Sequence, residues 1–194
     1  MKAGYTGSTY TLSSLSDGSG NSIVFAGTNG GGVYSLQGGT WKPVNVGILY
    51  GNVNCVTASN SLIFAGTDIG TVMPSTNGGA AWLPVQGALN VHSIQSLCYD
   101  DAHGVLYAGT LGSGVFKSTD RGNTWQTANN GIQDSNIYAL SLLPGSSGAP
   151  TLYAGTGGDG VIASSDGGTT WVELNTGLPY LPVFSFLSPT PGAP

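Results

Sequence analysis

The chain offers few side chains of the kinds that perform chemistry. His92 and His103 are its two histidines, and His103 closes a segment that begins with Asp100 and Asp101. Two carboxylates and an imidazole are ligand types found at metal sites. A solvated hairpin turn accounts for the same residues, and no cysteine–histidine ligand spacing accompanies them. The sequence therefore favours a turn, and we expect neither a metal nor a cofactor.

Sequence motifs of nucleophilic and nucleotide-binding enzymes are absent. The chain contains no Gly-x-Ser-x-Gly, no His-Glu-x-x-His and no Walker-type phosphate loop. Residues 155–160, Gly-Thr-Gly-Gly-Asp-Gly, are superficially similar to a phosphate-binding loop, but no helical pattern follows them. The remaining candidates lie in loops, where catalytic and binding residues are concentrated.

Charge is sparse and acidic. Of 194 residues, 13 are charged and 33 are glycine, and the net charge is −5. The four basic residues are scattered along the chain, whereas nucleic acids and anionic membranes require clustered lysine and arginine. We therefore expect no nucleic-acid partner. The basic residues are Lys2, Lys42, Lys117 and Arg121.

Hydropathy and composition bear on the location of the protein. No apolar run approaches the roughly 18 residues of a membrane span, so we expect no membrane insertion. The first residues have no apolar core of a signal peptide, and no such peptide is visible. The low charge and the abundance of Ser, Thr, Gly and Asn favour an extracellular or cell-surface protein.

Four copies of one phrase organise the chain. An apolar pair precedes Ala-Gly-Thr and a glycine-rich turn in each copy, at spacings of 39, 43 and 46 residues. The alanines of the four copies are Ala26, Ala65, Ala108 and Ala154. A repeat of about 40–50 residues that is rich in short strands and glycine turns is typical of β-propeller blades.

Each repeat predicts four short strands and no helix. The predicted fold is therefore an all-β propeller with four four-stranded blades in one array over residues 1–194. Residues 183–188 match the first strand of a further blade. The predicted blades cover approximately residues 8–47, 52–88, 93–131 and 136–178.

Three arrangements fit these ends of the array. The chain closes as a four-bladed ring with residues 183–188 completing blade one, two copies form a larger ring, or the chain is part of a longer one. A bare open array exposes sheet faces and edges, which natural proteins avoid. We favour self-association as a homodimer, or a longer chain, over a closed monomer.

The two cysteines do not form a disulfide framework. Cys55 and Cys98 fall in the first strands of adjacent repeats, two positions out of phase. Two buried thiols and a bridge between neighbouring strands both fit this placement.

A second motif joins the third and fourth strands of the repeats. It reads Ser-x-Asp-x-Gly-x-x-Trp in two copies, with Asn for Asp in another and a shortened form at residues 35–41. The aspartate suits a turn because it accepts backbone hydrogen bonds locally, and the tryptophan buries a large apolar area. The residues of the three full copies are Ser118, Asp120, Gly122 and Trp125; Ser164, Asp166, Gly168 and Trp171; and Ser75, Asn77, Gly79 and Trp82.

This motif resembles the Asp-box, or BNR repeat, of sialidases and related propellers. The resemblance implies that the box is structural and faces away from a catalytic end. It therefore assigns Asp120 and Asp166 to the fold. The arginine triad with which sialidases bind their substrate has no counterpart here, because Arg121 is the only arginine.

The phrase Gly66-Thr-Asp-Ile-Gly70 resembles the segment that holds a catalytic carboxylate in xyloglucanase-type glycoside hydrolases. That resemblance implies Asp68 as an acid or base. Inverting hydrolysis needs a second carboxylate at about 6.5–9.5 Å. Asp159 lies in the matching turn two repeats later, but inside Gly-Asp-Gly, and that family uses a cleft between two large propellers.

Two other families have similar blades. The photosystem II assembly factor binds its partner through a basic patch, which this chain lacks. Sortilin-type receptor domains are supported by disulfides, for which this chain has too few cysteines.

Two functions remain. The first is a non-catalytic binding or scaffold module for a glycan or a protein, in which Tyr50, Tyr99 and Tyr180 stack on sugar rings. These tyrosines fit packing between blades equally well. The second is a glycoside hydrolase, or a fragment of one, that uses Asp68.

Overall fold

The computed structural model describes residues 7–16, 22–49, 51–59, 62–83, 89, 93–145 and 150–187. Within these ranges the regular secondary structure consists of 15 β-strands and no helix. Their bounds are β1 Thr9–Ser16, β2 Ser22–Thr28, β3 Gly32–Gln37, β4 Thr40–Pro43, β5 Val53–Ser59, β6 Leu62–Thr67, β7 Val72–Ser75, β8 Ile94–Asp100, β9 Val105–Thr110, β10 Val115–Ser118, β11 Gln126–Thr127, β12 Ile137–Leu143, β13 Thr151–Thr156, β14 Val161–Ser164 and β15 Val172–Glu173.

Consecutive strands pair in antiparallel order and form four separate sheets. Blade one is β1–β4, blade two is β5–β7, blade three is β8–β11 and blade four is β12–β15. Three strands of blade two are described, and beyond them Leu83 N donates a 2.8 Å hydrogen bond to Pro74 O of β7. The chain is thus an all-β array of four propeller blades, as the repeat predicts.

The first strand of each blade carries an irregularity at the same place. The pairing with the second strand skips one residue, which is Tyr10, Asn54, Gln95 or Tyr138 in blades one to four. Such a bulge releases one side chain from the pleat and bends the strand. It places four equivalent side chains at one end of the array.

The glycine of Ala-Gly-Thr allows neighbouring blades to approach closely. A methyl group added at Gly66 would lie 2.7 Å from Ile94 Cγ2 of the next blade, and one added at Gly109 would lie 2.7 Å from Ile137 Cγ2. Stacking at this distance buries the sheet faces, and three apolar clusters fill the space between and within the blades. The core therefore depends on neighbouring blades rather than on any one sheet.

Residues 183–187 lie where a fifth blade would place its first strand. Val183 sits against Gly155 as Ile94 sits against Gly66, and its N–H donates a 3.0 Å hydrogen bond to Thr156 O. The segment occupies the position predicted for an additional strand. It has no regular strand pairing in the described residues, because no second strand lies beside it there.

The array is open. β1 packs on β5, β5 on β8, and β8 on β12, whereas β12 does not return to β1 to a comparable extent in the described residues. Cys55 and Cys98 are free thiols, so the bridged alternative is not present. Burial raises the pKa of both thiols, that of Cys98 to about 12.

The up-and-down order of strands gives the blades two different ends. The β1–β2 type hairpins and the turns between third and fourth strands share one end, here called the box face. The turns between second and third strands, at residues 29–31, 68–71, 111–114 and 157–160, share the opposite end with the connections between blades. This second end is here called the loop face.

Candidate functional site

The turns on the box face use their polar side chains internally. Ser118 Oγ donates a 2.8 Å hydrogen bond to Asp120 Oδ1 and accepts one of 2.8 Å from Gly122 N. Asp120 also accepts 2.8 and 2.6 Å bonds from the backbone N–H and hydroxyl of Thr124. The Thr124 bonds are the main reason that the pKa of Asp120 is lowered.

The turn in blade four repeats this arrangement. Asp166 accepts hydrogen bonds from Thr169 N at 2.9 Å and from Thr170 N and Oγ1 at 2.8 and 2.6 Å. The Thr170 hydroxyl is the largest cause that lowers the pKa of Asp166 to about 2. In blade two Asn77 Oδ1 accepts the equivalent 2.9 Å bond from Ala81 N. These side chains hold their own turns, which fits a structural role.

The tryptophans that follow these turns differ in burial. Trp82 and Trp171 are buried and donate indole hydrogen bonds to the preceding blade, at 2.7 Å to Val44 O and 2.8 Å to Ala128 O. Trp125 donates instead to Gly122 O of its own turn at 3.0 Å. Trp82 and Trp171 therefore join neighbouring blades, whereas Trp125 holds its own turn.

The structure places Asp68 and Asp159 on the loop face, each held by a local hydrogen bond. Asp68 Oδ2 accepts a 2.7 Å bond from Asn52 Nδ2. Asp159 Oδ2 accepts a 2.7 Å bond from Asp134 N, so its carboxylate fixes the connection into blade four. Neither carboxylate makes a direct hydrogen bond to the other.

A polar and aromatic cluster lies on the loop face of blade four. Asp134 Oδ1 accepts bonds of 2.9 Å from both the backbone and the side-chain nitrogen of Asn136. A methyl group added at Gly157 would lie 2.9 Å from Asp134 Oδ2 and 3.3 Å from Tyr138 Cε2. The Tyr138 ring in turn contacts Phe184, with ring centroids 4.9 Å apart. We call Asp134, Asn136, Tyr138, Asp159 and Phe184 the blade-four cluster.

This cluster combines features of a recognition site. Phe184 is 66% exposed, and the glycine at residue 157 leaves the carboxylate and the tyrosine ring without a covering side chain. Of its members, only Asp159 was identifiable from the sequence as a site candidate. Phe184 follows Val183 as Tyr138 follows Ile137, and Val183 and Ile137 lie against equivalent glycines, a correspondence that the repeat alignment contains.

The three tyrosines predicted to contact ligand have different surroundings. Tyr99 is half-buried and its ring lies 5.1 Å from that of Phe64 in blade two, so it packs between blades. Tyr180 is exposed in the segment after blade four. Tyr50 lies outside the described residues, as does His92.

A cleft of about 370 Å³ opens on the box face between blades three and four. Asp100, His103, Tyr107 and Lys117 line it together with Asp166. His103 Nδ1 lies 2.7 Å from Asp100 Oδ2, while Asp100 Oδ1 accepts bonds from Ala102 N and His103 N. Asp100 thus closes the turn that the sequence favours at this position.

The described ranges do not meet the requirements of a metal site or of a membrane-spanning helix. These residues contain no group of three His, Cys, Asp or Glu side chains placed to hold a metal ion. They also include no helix long and apolar enough to cross a membrane.

Comparison with known proteins identifies the fold and no family. No family model matches the chain. No curated protein matches it. Among solved structures, an ancestral GH74 enzyme is 25% identical with a TM-score of 0.68, and the match covers 87% of this chain and 24% of the enzyme.

Two further structures show the same architecture at lower identity. The GH74 xyloglucanase from Xanthomonas campestris is 19% identical with a TM-score of 0.68, over 90% of this chain and 31% of that one. The computationally designed Ika8 protein is 14% identical with a TM-score of 0.68, over 97% of this chain and 55% of that one. The chain is therefore a propeller array that spans about a quarter to a third of these GH74 enzymes.

Proposed function

We propose that the chain is a non-catalytic β-propeller module that binds a carbohydrate through the blade-four cluster. The observation that carries this proposal is the exposed Phe184 ring, which contacts the Tyr138 ring at a tilt of 46° beside the polar groups of Asp134 and Asn136. An aromatic face packs against the C–H face of a sugar ring, and nearby carboxylate and amide groups bond to its hydroxyls.

The ligand class that we propose is a β-glucan such as xyloglucan. One of the similar structures is a xyloglucanase by name, and its fold matches 90% of this chain. An extracellular location agrees with such a ligand and with the sparse charge of the sequence. Binding by the chain alone needs only the cluster, not a cleft between two propellers.

The carboxylates of the loop face support binding better than hydrolysis. Asp159 is tied to the backbone of Asp134, and Asp68 is tied to Asn52. An inverting hydrolase instead needs two carboxylates that face one bond from opposite sides, with space for water.

Hydrolysis by Asp68 is the second candidate function. It is favoured by one observation, that Asp68 and Asp159 both lie on the loop face of a chain that is 25% identical to an ancestral GH74 enzyme. New reducing ends from xyloglucan that disappear in Asp68→Asn would establish it.

Electrophoresis in native gels that contain xyloglucan tests the binding proposal. We expect the polysaccharide to retard the wild-type chain and to retard Phe184→Ala much less. Leu111→Ala is the matched control, since Leu111 is an exposed apolar residue of the loop face in blade three. Equal retardation of wild type and Phe184→Ala would contradict the assignment of the site.

A further inference from the structure

One contact recurs at two of the joints between consecutive blades, from blade one to blade two and from blade three to blade four. The fourth strand is followed by the segment Val44–Gly47 in blade one and by the segment Ala128–Gly131 in blade three. The tryptophan of the next blade packs on each of these segments. The indole of Trp82 donates to Val44 O at 2.7 Å while its backbone N–H donates to Val46 O at 2.8 Å.

Trp171 makes the same pair of contacts with blade three. It donates from the indole to Ala128 O at 2.8 Å and from the backbone to Asn130 O at 2.9 Å. Each of these two joints therefore has a donor, the tryptophan, and an acceptor, the segment after the fourth strand. Burial of the indole together with two hydrogen bonds makes the joint specific.

Blade four carries an acceptor segment that no described residue fills. Residues 174–177 have the local geometry of the other two segments, since Leu174 N bonds to Val161 O as Ala128 N bonds to Val115 O. Backbone atoms of Trp82 and Trp171 lie against Gly47 and Gly131, whereas no atom of the described residues lies within 4 Å of a methyl group placed on Gly177.

Blade one carries the matching donor. Trp41 is 43% exposed, compared with 2% for Trp82 and 4% for Trp171. Lys42 follows this tryptophan and Glu173 precedes Leu174, so the two free ends also carry opposite charges. Neither residue forms an ion pair in the described part of the chain.

The innermost strand of blade one departs from the pattern of the others. Val53, Ile94 and Ile137 begin the first strands of blades two to four, and all three are fully buried against the preceding blade. Thr9 holds this position in β1, opposite Thr28, and it is exposed. Val183 restores an apolar β-branched residue there, and it already lies on blade four.

We propose that two copies of this chain assemble head to tail into a closed ring. Trp41 of each copy docks on residues 174–177 of the other copy, donating to Leu174 O and Thr176 O. Residues 183–187 of each copy stay on their own blade four and pair with β2 of the other copy in place of its β1. The ring then contains two equivalent new joints.

A second copy fits these ends better than the chain's own blade one. In the described residues β12 and β1 do not pack on each other as the other consecutive first strands do, so blade one does not cover the end of blade four.

Molar mass by light scattering on a sizing column tests the assembly. We expect about twice 19.5 kDa for the wild-type chain at micromolar concentration. Trp41→Asp and Leu174→Asp should each give a single-chain mass. An equimolar mixture of the two variants should regain the dimer mass, because one of its two joints is wild type. Leu83→Asp, a change at an exposed position inside the array, is the control that should stay dimeric.

The shared strand has its own matched pair of variants. Val183→Asp should abolish the dimer, whereas Thr9→Asp should keep it, since β1 is displaced from the joint. Circular dichroism would verify that every variant retains its β-sheet spectrum. A folded wild type of single-chain mass, dimers of both Trp41→Asp and Leu174→Asp, or a dimer of Val183→Asp would each overturn the proposal.

Discussion

The indole N–H of Trp82 donates a 2.7 Å hydrogen bond to the carbonyl oxygen of Val44 in the preceding blade. The two residues are 38 positions apart, about one repeat, and Trp82 is almost fully buried. Since a blade cannot cover its own faces, contacts of this kind set the stability of the array.

Replacement of Trp82 by Phe should therefore destabilise the chain. The aromatic ring is kept in part, but Val44 O loses its donor, and we expect a loss of about 1–3 kcal/mol in the free energy of unfolding. Denaturant titration monitored by circular dichroism measures it. Leu83→Ala is the control, at a neighbouring but exposed residue, and should change stability by less than about 0.5 kcal/mol. Equal losses in both variants would contradict the role of the indole bond.

Gly66 should not tolerate even a methyl group. In Gly66→Ala the new carbon would lie 2.6 Å from Cys55 Sγ and 2.7 Å from Ile94 Cγ2, so blades two and three would have to separate. Overpacking of this kind costs about 1–3 kcal/mol. The matched change is Gly158→Ala, where the nearest atom is a side-chain oxygen of Asp134 at 3.3 Å. Thermal unfolding should show a clear drop in Tm for the first variant only.

The repeat and its strands could be predicted from the sequence because glycine, alanine and tryptophan recur at matched positions. The same pattern located Asp120 and Asp166 in their turns. The blade-four cluster was not predictable as a unit, because Asp134 and Phe184 are 50 positions apart and meet only when residues 183–187 fold back onto blade four. The burial of Trp82 and the exposure of Trp41 could not be predicted either. The two tryptophans belong to the same motif, but Trp82 has a preceding blade to pack on and Trp41, in the first blade, has none in the described residues.

Acid should weaken the turn of blade four through Asp166. Its pKa is lowered from 3.8 to about 2, mainly by the Thr170 hydroxyl, so the ionised form is favoured in the folded chain. The stabilisation is then complete well above pH 3.8 and is lost as the pH falls towards 2. In denaturant titrations, Asp166→Asn should be less stable than wild type at pH 6, and the difference should shrink in acid.

The asparagine of blade two provides the reverse experiment. Asn77 already accepts a backbone hydrogen bond in the equivalent turn. Asn77→Asp should therefore be more stable than wild type at pH 6, and this gain should disappear as acid protonates the new carboxylate. For Asp166→Asn, a loss of stability relative to wild type that grows as the pH falls would contradict the stabilising role of the ionised Asp166 carboxylate.

The two thiols should react slowly while the chain is folded. Burial raises the pKa of Cys55 and Cys98, so little thiolate is present at pH 8, and the reactive species is the thiolate. A disulfide exchange reagent should titrate two thiols at once in denaturant and only slowly without it. Fast reaction of the reagent with the thiols of the native chain would mean that the interface of blades two and three opens readily.

Isothermal titration calorimetry with a xyloglucan oligosaccharide tests the central claim most directly. We predict a saturable heat for wild type that is lost in Phe184→Ala and kept in Leu111→Ala, with the oligosaccharide recovered at its original length by chromatography. Absence of heat in the wild type, or recovery of shortened oligosaccharide, would contradict a non-catalytic carbohydrate-binding module.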